Sequence, residues 1–538
     1  MHYTSKEVYE YISQQTNDPI VERKTCTVSG AQFPIYQSDL DFYDKISPVI
    51  NGVKYQIPSP KLCPEERERQ RLMFRNERHL YKNTCKATGK AIISHHDSDA
   101  PFPVYEQSYW WSDARDAQNY ALTFEDGKSI MQHLKELSDQ VPRFNLYSLN
   151  VENCSYSNYI GNSKSCYLTY ASTNCEHLIY SRAGAKSSSC CDVFFAEDCH
   201  ECYEIIKCQN CSKVKHAILC ENCYDCEYIV GCNGCSFCYH CSDLTNQSYC
   251  IDNKPYSPEE WKIEVEKRRK LNQTSYPHSE KLQQSNNLSI ENSYGSFLTE
   301  CRNVAFCHGM SRAENCKYMR DEIDTQDNQD VYGAMLSSQC YQSISTVQSS
   351  HVLFSSYIGR SKDLIYCSYC YDCENCFGCI GLKNKQYCIF NKQYSQEEYR
   401  IILAQLLSQA QKEGIRGAFF PLTLSPFCYN ESIAYDEYPL TKEEALARKY
   451  ARKEENQISH FGQDTIQASE LPKSIDEVDD SILQKIILCE ESYRPYRIIK
   501  QELEFYRKHS IPLPKKHPDI RHQHRHGRKP KYRMQKEA

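Results

Sequence analysis

Residues 226–241 decide the fold of this chain: Cys226-Glu-Tyr-Ile-Val-Gly-Cys232-Asn-Gly-Cys235-Ser-Phe-Cys238-Tyr-His-Cys241. Small or aliphatic side chains recur at every third position, and larger or polar ones lie between them. The pattern continues in both directions with a period of twelve residues. Stepping by twelve gives a column that no polar residue interrupts, namely Cys154, Cys166, Leu178, Cys190, Cys202, Val214, Cys226, Cys238 and Cys250.

A fixed short period of this kind is typical of a solenoid. We interpret each twelve residues as one rung with four inward corners, and the rungs would stack about 4.8 Å apart. Cysteine suits so narrow an interior because it behaves as a small, soft hydrophobe. The sequence therefore predicts that these cysteines form a packed core.

Metal binding and disulfides are the alternative roles for these cysteines. Cys232, Cys235, Cys238 and Cys241 form a C-x2-C-x2-C-x2-C run, which is similar to the thiolate ligands of an iron–sulfur cluster and could also hold zinc. The same four residues continue the core columns, and no proline follows the last one. A packed core is therefore favoured over a metal site.

A second, divergent copy of the pattern follows the first. A shift of 138 residues carries six cysteines of the first copy onto Cys340, Cys370, Cys373, Cys376, Cys379 and Cys388. Capping boxes at Ser257-Pro-Glu-Glu260 and Ser395-Gln-Glu-Glu398 predict a helix after each copy, which would cover the open end of the stack. The acidic stretch Asp321–Asp330 interrupts the columns, so we expect the rungs to bulge there.

The two ends of the chain are similar to each other. Cys26-Thr-Val-Ser29 is echoed by Cys489-Glu-Glu-Ser492, and Cys63-Pro-Glu-Glu66-Arg67 is echoed by His517-Pro-Asp-Ile520-Arg521. The sequence thus predicts two related small modules that flank the repeats.

Composition favours a soluble protein with several domains. The chain has 538 residues and a net charge of −6, and it has no apolar run of membrane-spanning length. No apolar segment of a secretion signal follows Met1, so we expect a cytoplasmic protein with reduced thiols. These features predict no membrane association.

Short motifs are spread over nearly the whole chain. They are Cys63-Pro-Glu-Glu-Arg, Arg75-Asn-Glu, Trp110-Trp111-Ser-Asp, Val141-Pro-Arg, Glu152-Asn, Ile389-Phe-Asn-Lys-Gln-Tyr-Ser, Ser425-Pro-Phe-Cys-Tyr-Asn-Glu and Pro439-Leu-Thr-Lys-Glu-Glu. Through these motifs the chain resembles an uncharacterised family of large, cysteine-rich bacterial proteins that often carry a CaiB/BaiF (CoA-transferase) label.

The resemblance implies zinc-ribbon-like modules at both ends. In that family each module looks like a zinc ribbon with a C-x2-C and a C-P-x-C-R half-site. Here Ser29 and Glu66 stand at the second cysteine positions of the first module, and Ser492 and Ile520 stand there in the last. A structural zinc needs four ligands, so the alternative is a ribbon that keeps its fold by aromatic packing without metal. The candidate zinc ligands are Cys26, Cys63, Glu66, Cys85, Cys489 and His517.

The predicted fold is mainly β, with two tandem β-solenoids of about twelve-residue rungs and a cysteine-rich core. Each solenoid is expected to carry a capping α-helix, and small α+β zinc-ribbon-like modules flank the pair. The predicted segments are a first module with an aromatic patch (1–149), the first solenoid with its helix (150–272), a linker (273–288), the second solenoid with its helix (289–412), a mixed connector (413–488) and a last module with a basic tail (489–538).

The residues do not support the CoA-transferase label. Such an enzyme needs βαβ alternation with glycine-rich turns, whereas only 18 of the residues are glycine. No G-x-S-x-G, P-loop or H-E-x-x-H motif is present. Cys191 and Cys428 lack an evident histidine partner, so we interpret both as structural thiols. The sequence thus favours a protein that is not an enzyme.

Three functions remain as hypotheses. The first is a scaffold that binds a protein partner through tyrosine-rich repeat surfaces. The second is nucleic-acid or ribosome association through residues 515–538, which carry nine Lys or Arg against two acids, with help from the arginine-rich helix at Arg67–Arg78. The third is a metal- or iron–sulfur-binding protein that uses the cysteine arrays.

Overall fold

The computed structural model describes residues 3–184, 188, 191–192, 194–197, 206–209, 216–221, 224–270, 287–454 and 464–528. The chain divides into two compact units. Unit 1 contains residues 1–146 and 284–453, and unit 2 contains residues 147–283 and 454–531. Residues 271–286 of the predicted linker region and residues 529–538 of the basic tail lie outside the described residues.

The α-helices of the described residues are α1 (Lys6–Thr16), α2 (Gln37–Ile46), α3 (Pro64–Leu72), α4 (Gln107–Trp111), α5 (Ile130–Gln140), α6 (Pro258–Lys270), α7 (Gln396–Lys412), α8 (Ile433–Glu437), α9 (Lys442–Ala447), α10 (Lys500–His509) and α11 (Pro518–Arg528). Short 3₁₀ turns occupy Ala117–Tyr120, Leu422–Leu424, Tyr429–Glu431, Ala468–Glu470, Ile475–Glu477 and Asp480–Gln484. Helices α6, α10 and α11 belong to unit 2, and the others belong to unit 1.

Unit 2 contains an 11-stranded sheet, in which each strand pairs with the next along the chain. Its strands are Ser148–Glu152, Asn158–Lys164, Tyr170–Thr173, Arg182–Gly184, Phe194–Glu197, Ile206–Gln209, His216–Glu221, Glu227–Val230, Ser236–Tyr239, Ser248–Ile251 and Lys254–Pro255. Pairing is parallel except for the last strand, and Cys238 lies opposite Cys250, twelve residues on.

Unit 1 contains a 12-stranded sheet that is also parallel except for its last strand, although some of its strands pair with the second strand on along the chain. Its strands are Tyr294–Ser296, Arg302–Lys317, Arg320–Gln326, Gln329–Met335, Tyr341–Val347, Ser350–Leu353, Ser356–Gly359, Lys362–Ile365, Ser368–Tyr371, Glu374–Phe377, Gln386–Ile389 and Lys392–Gln393. Ile358 lies opposite Cys370, again twelve residues on. The predicted β-solenoid with twelve-residue rungs is thus confirmed, and the protein is mainly β.

Five small sheets complete the secondary structure that is described. They pair Ile20–Thr25 with Gln32–Tyr36, Val49–Ile50 with Val53–Lys54, Tyr81–Thr84 with Ala91–Ser94, Val104–Tyr105 with Arg143–Phe144, and Ile486–Leu488 with both Thr465–Gln467 and Pro495–Tyr496.

Each side of a rung consists of three residues with fixed roles. The first, such as Cys238, points into the core. The second, such as Tyr239, is in a strand, and the third, such as His240, has a left-handed backbone with φ 52°. Among the described residues, those with a left-handed backbone recur at every third position through most of both sheets. Many of them are Asn or Asp, which tolerate this conformation better than other residues with a side chain.

Backbone hydrogen bonds join each rung to its neighbours. The strand residue Val230 donates to Cys241 O, eleven residues on, at 2.9 Å, and the left-handed Asp243 donates back to Val230 O at 2.9 Å. These two bonds involve the strand residue and the left-handed residue of each side. The N–H of the core residue has no backbone acceptor in this pattern.

Core side chains accept the N–H groups that remain. Ser361 Oγ accepts from Cys373 N at 3.0 Å, twelve residues on, while Ser349 Oγ accepts from Ser361 N at 3.1 Å. Sulfur takes the same role where Cys241 Sγ accepts from Asn253 N at 3.4 Å. The same groups also donate, since Cys232 Sγ donates to Val230 O at 3.7 Å. Cysteine and serine therefore combine small size with an acceptor and a donor, which alanine and valine do not.

Aromatic left-handed residues stack along the outside of the solenoids. Tyr357 and Tyr369 are twelve residues apart, and their ring centroids are 4.5 Å apart with near-parallel planes. Phe237 and Tyr249 repeat this arrangement at 4.9 Å. The period of the core thus also aligns like side chains at the left-handed corners.

The prediction of a bulge in the acidic stretch is wrong. Asp321, Asp324, Asp327 and Asp330 each occupy a left-handed corner, with φ between 53° and 55°. The rungs run through this stretch in regular register, with Arg320 opposite Tyr332. Aspartate fits because the corner needs a short polar residue that tolerates positive φ.

A carboxyl group lies inside the unit 1 solenoid. Glu322 occupies a core position at 1% exposure, and neither of its oxygens has a side-chain hydrogen-bond partner among the described residues. Burial, together with the nearby Asp321, raises the pKa of Glu322 well above its usual value. Burial therefore favours the neutral form of this carboxyl group.

Helices follow the last rung in both units. In unit 2, Val265 of α6 packs on Tyr239 and Ile251, and Trp261 contacts the ring of Tyr249 edge-on. In unit 1, Tyr399 of α7 contacts Tyr387. Both capping boxes are formed, with Ser257 and Ser395 as the N-terminal caps.

Removing one core acceptor tests the hydrogen-bond pattern. We expect Ser361→Ala to lower the free energy of unfolding by about 1–3 kcal/mol because Cys373 N–H is left buried without a partner. Ser361→Cys keeps an acceptor at this position and should cost less. The measurement is urea unfolding in a Trp261→Phe background, where fluorescence comes from Trp110 and Trp111 of unit 1 alone. Equal losses for the two variants would contradict the pattern.

Glu322 predicts a specific pH dependence. Because its folded pKa is raised, the stability of the wild type is greatest below the unfolded pKa. It should then fall by up to about 1.4 kcal/mol per pH unit as the pH rises from about 4.3 through the folded pKa. Glu322→Gln removes this slope. Unfolding measured from acid to alkaline pH should show the two proteins diverging, whereas parallel curves would disprove the assignment.

Candidate metal centres in the cysteine turns

The first cysteine turn joins two antiparallel strands, Ile20–Thr25 and Gln32–Tyr36. Cys26 N–H donates to Ala31 O at 2.8 Å, and Gly30 N–H donates to Cys26 O at 2.9 Å. Gly30 has φ 73°, a conformation that glycine adopts without strain. The turn lies beside Cys63, which directly precedes α3.

The same turn occurs at Cys85, within the same unit. Cys85 N–H donates to Lys90 O at 2.9 Å, Gly89 N–H donates to Cys85 O at 2.9 Å, and Gly89 has φ 73°. Glu106, which directly precedes α4, stands in the place of Cys63, and its N–H donates to Cys85 Sγ at 3.2 Å. Cys85 was a candidate zinc ligand in the sequence, but this turn module was not predicted there, although the motif Cys-x2-Thr-Gly indicates it.

Cys489 of unit 2 forms the third turn. Its N–H donates to Arg494 O at 3.1 Å, and Tyr493 N–H donates to Cys489 O at 3.0 Å. Tyr493 takes the glycine position with φ 55°. His517 directly precedes α11, and its Nδ1 accepts from Asp519 N at 3.1 Å. The predicted pair Cys489 and His517 thus belongs to one turn module.

Hydroxyl and N–H groups surround the thiol in each turn. Burial alone would raise the pKa of Cys26, but hydrogen bonds from Ser29 and from the N–H groups of Cys63, Ser29 and Val28 outweigh it and lower that pKa. The pKa values of Cys85 and Cys489 are lowered in the same way. Hydrogen bonds from Thr88 to Cys85 and from Ser492 to Cys489 contribute to outweighing the effect of burial. The Ser or Thr that replaces the second cysteine therefore binds the first.

The side chains at the first turn do not supply a zinc ligand set. Ser29 Oγ lies 3.7 Å from Cys63 Sγ, and burial raises the pKa of Cys63 well above its usual value. Glu66 is 3% exposed and is bound by Arg69 at 2.9 Å and by Arg448 at 3.2 Å. In the part of the chain that the structure describes, no three His, Cys, Asp or Glu side chains are grouped to hold a metal ion.

The cysteine run of the first solenoid lies in the core. Cys232, Cys235, Cys238 and Cys241 are each at most 1% exposed, and every thiol donates to a backbone carbonyl two residues earlier. The corresponding residues of unit 1 are Cys370, Cys373, Cys376 and Cys379, and their thiols make the same bonds. The four cysteines of the run are therefore core residues of the solenoid.

Neither thiol considered as a nucleophile is activated. Cys191 is fully buried at 3.8 Å from the Tyr506 hydroxyl, and burial raises its pKa well above the usual value. Burial and Glu431 raise the pKa of Cys428 to about 12. Both groups are thus neutral thiols at neutral pH.

Two arginines anchor the first module on the unit 1 solenoid. Arg67 Nε and Arg71 Nη1 of α3 lie 2.8 Å and 3.2 Å from the carboxylate of Asp330. Both arginines are at most 2% exposed, and Asp330 is fully buried. Asp330 is a left-handed corner of the solenoid, so the module is bound to the repeat itself.

Unit 2 repeats this anchor with equivalent residues. Arg521 and Arg525 of α11 lie 2.6 Å and 3.0 Å from the carboxylate of Asp192, another left-handed corner. A shift of 138 residues carries Asp192 onto Asp330. Tyr180 contacts the Arg521 guanidinium as Tyr318 contacts that of Arg67, and the same shift relates the two tyrosines. Sequence analysis missed these anchors, although Arg67 and Arg521 were already matched.

The anchors remove part of the electrostatic argument for nucleic-acid binding. Arg67 and Arg71 of the arginine-rich helix are buried in ion pairs, and so are Arg521 and Arg525 of the basic C-terminal segment. These four side chains cannot bind phosphate without breaking the modules from the solenoids.

Comparisons of the chain with protein-family models, with curated proteins and with solved structures found no match. Among the described helices, none has the length and apolar character needed to cross a membrane.

The anchor of unit 1 predicts a large loss on substitution. Asp330→Asn should cost about 3–5 kcal/mol because it leaves Arg67 and Arg71 buried without a carboxylate. Asp324→Asn is the matched control, since Asp324 pairs with the exposed Arg312 at 2.6 Å and should cost at most about 1 kcal/mol. The Trp261→Phe background again reports on unit 1. Similar losses for the two variants would contradict the anchor.

The turns predict indifference to chelation. We expect excess EDTA to change the thermal midpoint of the reduced protein by less than about 1 °C, since hydrogen bonds hold the thiols. The same measurement is made on Ser29→Cys, which adds a third thiol beside Cys26 and Cys63. A clear drop in the wild type, reversed by zinc, would show a structural metal.

Proposed function

We propose that the protein is a non-enzymatic scaffold that binds a protein partner through the exposed face of its solenoid. The observation that carries this proposal is the asymmetry of unit 1. Phe354, Tyr366 and Phe390 form a left-handed column that is at most 3% exposed. Tyr366 contacts Phe420, and Phe390 stacks on His133. One side of the solenoid is therefore covered by other parts of the unit.

Another left-handed column of the same solenoid remains open to solvent. It carries Arg312, Leu336, Gln348, Arg360 and Asp372, which are all exposed. Arg312 pairs with Asp324 and Arg360 pairs with Asp372, each twelve residues on, at 2.6 Å. These ladders hold charged groups in fixed positions on a rigid surface, as repeat proteins do when they bind partners.

An apolar stripe crosses this open face. Ile323, Met335 and Val347 lie opposite one another on adjacent strands, and Leu336 follows Met335. Met335 is 45% exposed and Leu336 is 53% exposed. An apolar patch rimmed by charged residues is the usual form of a protein interaction site.

The cavities favour binding over catalysis of an organic substrate. One beside Arg143 has a volume of about 30 Å³, and another beside Glu65 has about 20 Å³. Sites for organic ligands are typically several hundred Å³. The two thiols considered as nucleophiles are neutral, as described above.

The thiols support a reducing compartment. The cysteines that the structure describes are all free. Their placement in the core requires the reduced form, because a disulfide would remove the donor and alter the rung spacing. These free thiols support the proposal of a cytoplasmic location, where thiols stay reduced.

Substitution on the apolar stripe tests the proposed surface. We expect Met335→Glu with Leu336→Glu to reduce co-purifying partner by at least about tenfold, because a charge would be buried in the contact. Ile401→Glu on α7 is the matched control, since Ile401 is 52% exposed in the same unit. The readout is quantitative mass spectrometry of proteins captured with the tagged chain. Identical capture by all three proteins would refute a partner at this face.

A further inference from the structure

A small cavity lies between α5 and the outer corners of the unit 1 solenoid. Its lining includes Ser138 and Arg143 on one side and Ser356, Ser368 and Tyr369 on the other. The two serine hydroxyls are 2.8 Å apart. Leu134, Ile380 and Phe420 close the remaining walls. Apolar groups thus form most of the cavity wall, and the serine hydroxyls and Arg143 are polar groups within it.

Arg143 brings a positive charge to this cavity. It is 3% exposed, and its guanidinium donates only to neutral groups, namely Val141 O at 2.8 Å and the carbonyl and hydroxyl oxygens of Ser138 at 3.3 Å and 3.1 Å. The carbonyls belong to the end of α5, whose dipole offsets part of the charge. Within the described residues, no carboxylate forms a salt bridge with Arg143.

Two more cations near Arg143 also lack a carboxylate in the described part of the chain. Arg115 is 6% exposed and donates to Trp110 O and Gly381 O, at 3.1 Å and 2.6 Å. Lys383 donates to the carbonyls of Trp111 and Ser112, both at 2.8 Å. The partners of these three cations are thus neutral oxygens and aromatic ring faces, since the guanidinium of Arg143 lies 4.9 Å from the centre of the Tyr369 ring and that of Arg115 lies 4.0 Å from the centre of the Trp110 ring. Buried charges usually have a counter-ion, so this cluster is short of negative charge.

Donors remain unused at the cavity. Arg143 Nε and the hydroxyl of Tyr369 are both buried and have no hydrogen-bond partner. The hydroxyl of the neighbouring Tyr357 donates to Phe74 O. Arg115 Nη1 is also buried without a partner. A buried donor left unpaired costs about 1–3 kcal/mol, so an acceptor inside the cavity would stabilise the unit.

We propose that this cavity binds a monatomic inorganic anion of the size of chloride or bromide. Its volume of about 30 Å³ exceeds the roughly 10–15 Å³ that one water needs. Phosphate, sulfate and organic carboxylates are too large for this space. Arg143 and Tyr369 donate to the anion, and Ser356 and Ser368 complete its shell.

The titration of the cations agrees with this site. Burial lowers the pKa of Arg143 to about 10, and burial lowers that of Arg115 to about 10 as well, with Arg143 contributing to the second shift. Both stay charged at neutral pH, so the positive potential is present when the anion binds. An anion beside Arg143 would reverse part of the lowering of its pKa.

Crystals of the full chain grown or soaked in sodium bromide test the proposal directly. We expect an anomalous bromide peak in the cavity beside the Arg143 guanidinium. In solution, the thermal midpoint should rise by roughly 2–4 °C between bromide-free buffer and about 200 mM bromide, with gluconate keeping the ionic strength constant. A cavity that holds only water at this bromide concentration would overturn the proposal.

Variants separate the site from general salt effects. Tyr369→Phe removes one donor and should weaken the bromide-dependent rise at least about threefold in apparent affinity, because a direct hydrogen bond to the anion is lost. Tyr387→Phe is the matched control outside the cavity and should respond as the wild type does. Arg143→Met should abolish the rise, and Tyr369→Phe gives an independent answer if that variant does not fold. An equal rise in all four proteins would refute the site.

Discussion

The inward N–H of each core residue is the constraint on which the solenoids depend. A side of three residues makes two backbone hydrogen bonds to neighbouring rungs, and the third N–H points to the axis. Where the core residue twelve positions earlier is Ser or Cys, its side chain can accept this N–H, as Ser361 does for Cys373 and Cys241 does for Asn253. An unpaired buried N–H would cost about 1–3 kcal/mol at each corner. Cysteine and serine fill the columns because they are small and can also accept and donate.

The two units share one plan. A cysteine turn lies beside the residue that precedes a helix, two arginines of that helix bind one corner aspartate, and the aspartates Asp330 and Asp192 are equivalent in the repeat. The arrangement explains why the modules keep their shape with serine or threonine in place of a second cysteine. Hydrogen bonds hold the thiols, and the buried ion pairs with the solenoid hold the helix.

The sequence predicted the period and the core columns because side-chain size alone selects them. The sequence did not explain why cysteine is more frequent than alanine or valine in these columns. The inward-pointing N–H group becomes evident only once the structure shows that each side of a rung has three residues. The acidic stretch was misjudged for the same reason. Asp321 and Asp330 were taken as interruptions of the core, whereas they occupy left-handed corners that favour aspartate. The anchors at Asp192 and Asp330 escaped because they join residues hundreds of positions apart.

Hydrogen exchange of individual amides tests the central claim most directly. In the native protein, the N–H groups of Cys367, Cys373 and Asn391 should exchange as slowly as those of the strand residues beside them, because Ser355, Ser361 and Cys379 accept them. Exchange of these three amides at the rate of an exposed turn such as Gly127 would contradict the account, since the inward groups would then lack the acceptors on which the columns of cysteine and serine depend.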